Sequence, residues 1–328
     1  MSSDVLSDVL AAVRLSGAVY FDFEVTAPWV AEAPPSREIA HLVLPRAQRV
    51  IEAHLIAEGT CWGGLVGGES IRLEEGDVFA FPQGSAHVLS SAPGMRATPE
   101  MAMYARPSNR LPLCIERGGG GERSRIVCSF LGCDDRPFNP LLASLPEVLH
   151  LKGAGRPASE TWIGTLLSVA AREGNSARPG SENVLARLSE LMFVESIRRY
   201  LETLPPSETG WLAGLRDPLV GRALAALHSA AGKTWSVESL AREVGASRSV
   251  LAERFADFVG HPPMHYLALW RMQLASRRLA EGQGVAEVAA DVGYESEAAF
   301  SRAFKKLVGK SPGEWRRAKA PALPGDSR

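Results

Sequence analysis

The pattern of hydrophobic and polar positions changes its period near residue 135. From about residue 15 to that point, short apolar stretches alternate with clusters of Gly, Pro and polar residues, which is typical of β-strands joined by turns. Beyond it, apolar residues recur every three or four positions, which predicts amphipathic helices. The predicted strands are AVYFDFEV, VIEAHLIA, GDVFAF, HVLS and RIVCSF. The pattern therefore predicts an α+β protein with two domains: a small β-barrel in residues 15–135 followed by helices, and a C-terminal all-α domain.

Two amphipathic helices flank the predicted barrel in sequence. The first runs from Asp4 to Arg14 and ends before Gly17. Its predicted inward residues are Leu6, Val9, Leu10 and Val13. The second has an apolar stripe that consists of Val184, Leu188, Leu191, Val194, Ile197, Leu201 and Leu204. Such a stripe packs against a core or pairs two copies of the chain, and the sequence leaves both interpretations open.

The C-terminal region contains an internal repeat. One unit, LAREVGASRSVLAERFADFVGHPPMHY, begins at Leu240, and the other, VAADVGYESEAAFSRAFKKLVGKSPGEWR, begins at Val288. Matched positions lie 48 residues apart before the serine cap and 49 residues apart from the cap onward. The residues Ser247, Leu251, Phe255, Gly260, Pro263 and Tyr266 recur as Ser296, Phe300, Phe304, Gly309, Pro312 and Trp315. A repeat this detailed indicates that one supersecondary unit occurs twice.

Each repeat unit is predicted to be a helix, a tight turn and a second helix. In the second unit, Gly293 stands where a left-handed turn residue belongs, and Ser296 stands at the N-cap of the next helix. This arrangement is the helix-turn-helix, whose second helix enters the major groove of DNA. The connector between Pro263 and Glu281 is about 19 residues long and would span roughly 28 Å as a helix. Since neighbouring major-groove faces lie about 34 Å apart, it is predicted to hold both recognition helices on one side of the duplex.

These motifs resemble the AraC/XylS family of bacterial transcription regulators. The resemblance covers roughly Leu215 to Lys319. It is carried by Ala289, Gly293, Tyr294, Ser296, Phe300, Arg302, Phe304, Lys305, Gly309, Ser311, Pro312, Trp315 and Arg316. It implies a non-enzymatic regulator, more often an activator, that binds double-stranded promoter DNA, responds to a small-molecule effector and acts on RNA polymerase.

Helical spacing predicts which residues of the two motifs face DNA. The second helix of each unit has an apolar inner face, so the opposite face is exposed. The predicted base-facing residues are Arg248, Ser249, Ala252, Glu253, Glu297, Ala298, Ser301 and Arg302. The predicted phosphate-contacting residues are Lys305, Lys306, Lys310, Arg316 and Arg317. Arg248 and Arg302 are expected to be the main base readers, because arginine to guanine is the commonest specific contact, and contact with phosphate alone is the alternative.

Charge and composition agree with this assignment. The 328-residue chain has a net charge of −1. From Trp211 onward there are 17 Lys and Arg against 12 Asp and Glu, or +5, and the rest has 19 against 25, or −6, so the basic excess coincides with the motifs. The start, MSSDVLSDVL, resembles no signal peptide, and no apolar stretch approaches 18 residues. The protein is therefore expected to be cytoplasmic, and associated with the nucleoid when bound to DNA.

Residues Gly76 to His87 resemble the second cupin motif, with a glycine, five residues, a proline, one residue, a glycine, two residues and a histidine. The resemblance implies a cupin-like sensor domain. Its effector pocket is predicted to include Trp29, His54, Trp62, Phe79 and His87. The alternative is that the aromatic side chains fill a closed core.

A cupin-type metal-dependent enzyme fused to a DNA-binding module is the alternative function. Cupin enzymes hold a metal through a His-x-His pair with a further Glu and a His, and this sequence has no His-x-His. His54, Glu58 and His87 could still converge on one cavity. The expectation is nevertheless a hydrogen-bonded histidine in the pocket wall, with no metal and no cofactor.

The four cysteines are not spaced as in a disulfide framework. The absence of this spacing is typical of proteins from a reducing compartment. Cys128 and Cys133, in VCSFLGC, are the candidates for a redox role. No base is visible beside them in the sequence, and small buried residues explain them as well.

Composition suggests four segments. Residues 1–150 are predicted to form the cupin-like sensor domain, and 151–210 a helical linker that includes a possible dimerisation region. Residues 211–320 are predicted to form the DNA-binding domain, and 321–328 a disordered tail. The run Gly118 to Gly121 is predicted to be a hairpin tip.

Overall fold

The computed structural model describes residues 4–45, 47–105, 113–134, 137–153, 162, 165–166, 169–170, 173, 178–205 and 207–319. The predicted tail and most of 154–177 lie outside these residues. The chain divides into two compact units. The barrel unit consists of Arg14–Asp134 and Leu145–Thr203, and the helical unit of Met1–Val13, Asp135–Ser144 and Leu204–Arg328. Within the described ranges, no helix combines the length and the apolar character needed to cross a membrane.

Two sheets form the barrel unit and share one hydrophobic core. The strands are β1 (Ser16–Thr26), β2 (Val30–Ala33), β3 (Arg49–Glu58), β4 (Thr60–Leu65), β5 (Ile71–Glu74), β6 (Val78–Phe81), β7 (His87–Ser90), β8 (Leu113–Gly118), β9 (Arg123–Cys133) and β10 (Leu149–Leu151). A six-stranded sheet has the order β10-β6-β3-β9-β1-β8, and a four-stranded sheet has the order β2-β7-β4-β5. The core takes Phe21 and Phe130 from the larger sheet and Leu73 and Leu89 from the smaller. The predicted β-rich N-terminal domain and the α+β class are confirmed.

The helices belong partly to each unit. They are α1 (Val5–Ala12), α2 (Ser36–Val43), α3 (Pro140–Ser144), α4 (Ser181–Thr203), α5 (Trp211–Arg216), α6 (Pro218–Ser229), α7 (Val237–Glu243), α8 (Arg248–Val259), α9 (Pro263–Ala280), α10 (Val285–Asp291), α11 (Glu297–Val308) and α12 (Pro312–Lys319). Helices α2 and α4 lie in the barrel unit, and the others in the helical unit. A short 3₁₀ helix spans Met101–Met103 in the barrel unit.

The predicted stripe of α4 is rotated relative to the face that the structure buries. The face against the six-stranded sheet consists of Leu185, Leu188, Ser189, Met192, Phe193, Ser196 and Ile197. Val184 and Leu191, from the predicted stripe, are 41% and 49% exposed. The reason is a close approach to β1, where a Cβ on Gly17 would lie 2.0 Å from the Ser189 hydroxyl oxygen. The small side chain of Ser189 therefore lies at the contact with Gly17, and Val184 and Leu191 remain exposed to solvent.

The GGGG run is a crossover loop and not a hairpin tip. Strands β8 and β9, which it connects, both pair with β1, on opposite sides of it. The Gly119 amide donates to Thr26 O at 3.1 Å, and the Gly121 amide donates to Ala27 O at 2.9 Å. A Cβ on Gly118, whose φ is 140°, would lie 2.0 Å from Thr26 O, so the glycine is required there by backbone contact.

Both helix-turn-helix motifs form as predicted. The first consists of α7 and α8, and the second of α10 and α11. The turn glycines Gly245 and Gly293 have φ of 68° and 81°, and Ser247 and Ser296 cap the second helices. The connector is α9, whose 18 residues span about 27 Å. It contacts α8 from the first motif and both helices of the second.

The division into units does not coincide with the predicted boundaries at 150 and 210. Residues 1–13 and 135–144 belong to the helical unit, although the sequence assigned them to the sensor domain. Helix α1 buries Val5, Val9 and Ala12, whereas the predicted inward residues included Leu6 and Leu10. It contacts α3, α6 and α9, and the side-chain amide of Gln273 on α9 donates to Ala12 O at 3.0 Å. The first helix is therefore part of the core around the connector.

Candidate nucleic-acid interface and ligand cavity

Helix α11 presents an accessible face opposite its buried phenylalanines. The Ser296 hydroxyl caps the helix by accepting a hydrogen bond from the Ala299 amide at 3.2 Å. Phe300 and Phe304 are fully buried in the core of the second motif. The predicted base-facing residues of this helix are Glu297, Ala298, Ser301 and Arg302, of which only Ser301 is half-buried. Arg302 forms no hydrogen bond or ion pair with another described residue, so its guanidinium is available to a ligand.

Helix α8 of the first motif also has a buried inner face, but on its outer face one predicted base-facing residue, Arg248, already forms an ion pair within the protein. Leu251 and Phe255 are fully buried. The predicted base-facing residues Arg248, Ser249, Ala252 and Glu253 lie on the accessible side. Arg248 Nε donates to Glu238 Oε1 at 2.9 Å. This ion pair is exposed and screened by solvent, so exchanging it for a contact with DNA costs little.

A cluster of cations follows α11. The predicted phosphate-contacting residues Lys305, Lys306, Lys310, Arg316 and Arg317 are all exposed. None of them forms a hydrogen bond or ion pair within the part of the chain that the structure describes. The acidic residue among them, Glu314, is engaged at the start of α12, where its carboxylate accepts from the Ser311 amide and hydroxyl at 2.7 Å each. The cluster therefore has the exposed, unpaired positive charge that suits a phosphate backbone.

Arg271 braces the turn of the second motif, and sequence reasoning missed it. Its guanidinium donates to Ala231 O at 2.7 Å, to Lys233 O at 2.8 Å and to Gly293 O at 3.5 Å. It also lies 5.8 Å from the centroid of the Tyr294 ring. Arg271 thus connects α9 and the segment after α6 to the turn that positions α11. Its partners are backbone carbonyls, which leave no signature in a sequence.

The barrel unit contains a cavity that opens to solvent, and the space in which a water-sized molecule can be centred is about 70 Å³. The wall is mainly aromatic and aliphatic, and its apolar members include Phe21, Phe23, Val25, Leu89, Ile126 and Phe130. Glu52, His54, His87 and Cys128 form a polar patch in this wall. Of the predicted pocket residues, Trp29, His54 and His87 line the cavity.

The structure does not bring Trp62 and Phe79 to this cavity. Cys61 is buried in the core, and a Cβ on Gly63 would contact Leu73, Phe79 and Leu89, so both neighbours of Trp62 on β4 face inward. Because side chains alternate along a strand, Trp62 lies on the outer face and is half-buried. Phe79 is fully buried in the core and does not reach the cavity wall.

Three groups of the polar patch, His87, His54 and Cys128, form a hydrogen-bond chain that ends at the backbone carbonyl of Ser85, and this end sets the direction of the chain. His87 Nδ1 lies 2.9 Å from Ser85 O, and a carbonyl only accepts, so Nδ1 carries the proton. Burial lowers the pKa of His87 to about 4, so its Nε2 is an acceptor at neutral pH and takes a hydrogen bond from His54 Nε2 at 2.8 Å. Burial and the neighbouring His87 also hold the pKa of His54 well below its usual value, so His54 Nδ1 accepts from the Cys128 thiol at 2.8 Å.

Glu52 stands beside this chain and takes the place that the sequence suggested for Glu58. Its carboxylate oxygen lies 3.8 Å from His87 Nε2, and burial raises its pKa to about 8. Glu58 is exposed, 3.9 Å from Arg125 and 4.0 Å from Arg123. The pairing of β3 with β9 shifts register between Ile56 and Glu58, so counting every second residue from His54 fails at that point. The sequence signal that could have identified Glu52 is its position two residues before His54 on the same strand, because such residues point to the same face of a sheet.

The same cluster has the residue types of a metal centre. Ligand atoms of Glu52, His54 and His87 lie within 4.8 Å of one another. The two Nε2 atoms, however, are 2.8 Å apart, which is a hydrogen-bond distance and shorter than the roughly 3.3 Å between two nitrogen ligands of a tetrahedral zinc ion. Glu52 would also have to lose its proton to bind a cation. The geometry present is therefore that of a neutral hydrogen-bond chain.

Cys128 and Cys133 do not form a redox pair in this structure. Both are buried free thiols on β9. Five residues of strand separate them by roughly 16 Å, beyond the limit of about 7 Å between the Cα atoms of a disulfide. Burial and nearby acidic groups raise the pKa of Cys128 well above its usual value, so its thiol is protonated at neutral pH.

The chain matches two domain families, and it is similar to two transcription regulators and to one solved domain structure. Residues 4–202 match the cupin family, and residues 240–318 match a helix-turn-helix domain family. A Streptomyces lividans protein named as an AraC-like transcription regulator is 35% identical over 281 residues, which cover 85% of this chain and 90% of that protein. The HTH-type transcriptional regulator AlkR of Acinetobacter baylyi is 28% identical over 315 residues, with 95% and 99% covered. The C-terminal domain of AraT, a response regulator from Geobacillus stearothermophilus, aligns with a TM-score of 0.32 and 29% identity over 34% of this chain and 94% of that domain.

Proposed function

Because this chain belongs to the AraC family of transcription regulators, we propose that its barrel unit binds a small-molecule effector and that its helical unit reads promoter DNA through α8 and α11. The observation that carries the DNA-binding half is the matched construction of the two motifs. Each has a left-handed glycine, a serine cap and a buried pair four residues apart, with an accessible face opposite. Two such helices joined by α9 fit adjacent major grooves.

The effector half of the proposal is supported by the cavity. It is mainly apolar with a few polar groups at one place, which is the usual composition of a small-molecule site. A ligand changes the affinity for DNA only if it binds two states of the protein unequally. The regulator is proposed to be cytoplasmic, to activate transcription through RNA polymerase and to have no catalytic activity. Pairing of two copies through the predicted stripe of α4, of which Val184 and Leu191 are exposed, stays a prediction. Sedimentation of the purified protein checks it.

Base reading is tested by replacing the two predicted reader arginines separately. Selection from random duplexes with the full chain first defines the preferred site. Arg302→Ala is expected to relax preference at one base pair and to weaken binding of the preferred site by about 1–3 kcal/mol, or 5- to 150-fold. Arg248→Ala is expected to do the same at a base pair about 10 positions away, because one turn of duplex separates the two helices.

The outcome that contradicts base reading is a uniform loss. If Arg302→Ala weakens all duplexes equally, this side chain contacts phosphate and carries no sequence information. If the affected base pairs of the two variants are not about one helical turn apart, the two motifs do not bind as one rigid pair. Competition titrations by fluorescence anisotropy, with each position of the selected site varied in turn, measure both quantities.

The cation cluster after α11 predicts a change in salt dependence. The double variant Lys306→Ala with Arg317→Ala is expected to reduce the slope of log affinity against log salt by about 2, because each phosphate contact contributes about 0.9. Affinity at 0.1 M salt should fall by roughly tenfold or more for any sequence. A matched control with the same charge change is Arg187→Ala with Arg198→Ala, on the exposed side of α4. An equal change of slope in both double variants would assign the effect to net charge and not to contacts.

A further inference from the structure

Two buried polar atoms in the cavity wall have no partner among the described residues. They are the indole Nε1 of Trp29, which only donates, and the Oε1 of Glu52. Trp29 is 8% exposed and Glu52 is 1% exposed. Trp29 stands at the start of the smaller sheet and Glu52 on β3 of the larger, so the two atoms come from different walls. A buried polar group without a hydrogen bond destabilises the protein, so a ligand that bonds to these atoms removes that penalty.

The charges around the cavity are already neutralised. Two carboxylates outside the polar patch line the cavity, and each has an arginine partner: Glu32 pairs with Arg96 at 2.7 and 2.8 Å, and Glu100 pairs with Arg117 at 2.5 and 2.7 Å. In the interior, burial raises the pKa of Glu52 to about 8, and both histidines are neutral at pH 7 because burial lowers their pKa. The described part of the wall therefore has no unpaired charge that could bind a charged ligand. The free energy needed to remove such a ligand from water would not be offset by an ion pair.

We infer that the effector is a neutral, mainly apolar molecule with one or two oxygen or nitrogen atoms, which accepts a hydrogen bond from Trp29 Nε1 and bonds to Glu52 Oε1. This inference rests on the proposed effector function and narrows its ligand to one chemical class. The aromatic walls supply most of the contact area, and the two unpaired atoms supply the selection for a hydroxyl or carbonyl group.

The inference is tested with four probes that share one ring system: 2-naphthalenemethanol, naphthalene, 2-naphthoate and 2-naphthylmethylammonium. Isothermal titration of the full chain at pH 7 measures the dissociation constant of each. The neutral alcohol is expected to bind most tightly, naphthalene about five- to tenfold more weakly because it lacks the hydrogen bond, and both charged probes roughly 30-fold more weakly than the alcohol, or worse, because their charge is desolvated without a partner.

Variants assign the polar contacts. Trp29→Phe keeps an aromatic ring and removes the donor, so it should abolish the advantage of the alcohol over naphthalene and leave naphthalene binding within about twofold. Glu52→Gln keeps a neutral hydrogen-bonding group and should retain the advantage, whereas Glu52→Ala should reduce it. The matched control is Trp62→Phe, because Trp62 is a tryptophan of the same unit that does not line the cavity. It should leave all four affinities unchanged.

Several outcomes overturn the inference. They are tight binding of either charged probe, failure of all four to bind, or an advantage of the alcohol that survives Trp29→Phe. Micromolar binding of Zn²⁺ that displaces the alcohol and disappears in His87→Ala would show a metal centre in its place. The titrations contain no DNA, so they report on the ligand class alone. If the alcohol binds as expected but leaves the affinity for the operator unchanged, the proposed effector function is wrong. The inference that the cavity binds a neutral, mainly apolar molecule is then still supported.

Discussion

Gly293→Ala is expected to lower the free energy of unfolding of the helical unit by about 3–5 kcal/mol, whereas Gly245→Ala should lower it by only about 1–2 kcal/mol. Both glycines lie in the turn of a helix-turn-helix and have positive φ. Alanine at either position is therefore destabilising, because a residue with a Cβ is strained in the left-handed conformation. Only Gly293 is also packed against backbone. Its Cβ would lie 2.2 Å from Gly232 O and 2.9 Å from Arg271 Nη2, while a Cβ on Gly245 would meet nothing within 4 Å.

Urea unfolding of the two variants, followed by circular dichroism, measures this difference. Operator affinity provides a second measurement, because displacing the turn moves α11 away from the geometry that α9 and Arg271 impose. Gly293→Ala should therefore lose at least 100-fold in affinity at a temperature where Gly245→Ala remains folded and loses much less. Equal destabilisation by both substitutions would show that the contact with Gly232 relaxes at little cost.

Glu52→Gln is expected to stabilise the barrel unit by an amount that grows as the pH rises. The pKa of Glu52 is raised from 4.5 to about 8 by burial. Between these two values the folded protein binds one proton more than the unfolded chain, so its free energy of unfolding falls as the pH increases. Glutamine does not titrate and avoids this loss. At roughly 1.4 kcal/mol per pH unit, the difference between variant and parent should reach on the order of 4 kcal/mol at pH 8.

Unfolding curves at half-unit steps from pH 5 to pH 9 test this dependence. Other groups titrate in the same range, and the lowered pKa of His87 makes both proteins less stable below about pH 6. Subtracting one curve from the other cancels such shared contributions. Glu58→Gln is the control, since Glu58 is an exposed carboxylate on the same strand. Parallel curves for Glu52→Gln and the parent would mean that Glu52 is ionised in the folded protein.

The helix-turn-helix motifs could be predicted from the sequence because their determinants are local. A turn glycine, a serine cap and an inner pair of apolar residues act within one unit, and the internal repeat shows each of them twice. Gly293 and Ser296 therefore have in the structure the roles that the pattern assigned to them. The β-rich character of the first domain followed from strand-length apolar stretches in the same way.

The remaining features depend on contacts between distant parts of the chain. The buried face of α4 is set by the approach of Ser189 to Gly17, and serines do not look like core residues in a sequence. The role of Glu58 was misjudged because a register shift in β3 interrupts the alternation of faces. The base beside Cys128 is His54, 74 residues earlier, on the neighbouring strand. Pairing of β3 with β9 creates this contact, and residues near Cys128 in sequence gave no sign of it.

The packing of α1 against α9 has a consequence for the order of events during synthesis. The Ala12 carbonyl accepts from Gln273, 261 positions later, and the Ala11 carbonyl accepts from Arg277, 266 positions later. An eight-residue helix is too short to persist alone in water. At about 5–20 residues per second, the ribosome needs roughly 13–50 s to make the chain between these partners. Helix α1 therefore packs only after α9 has been made, when the strands of the barrel unit, which lie between them in the sequence, have had time to pair.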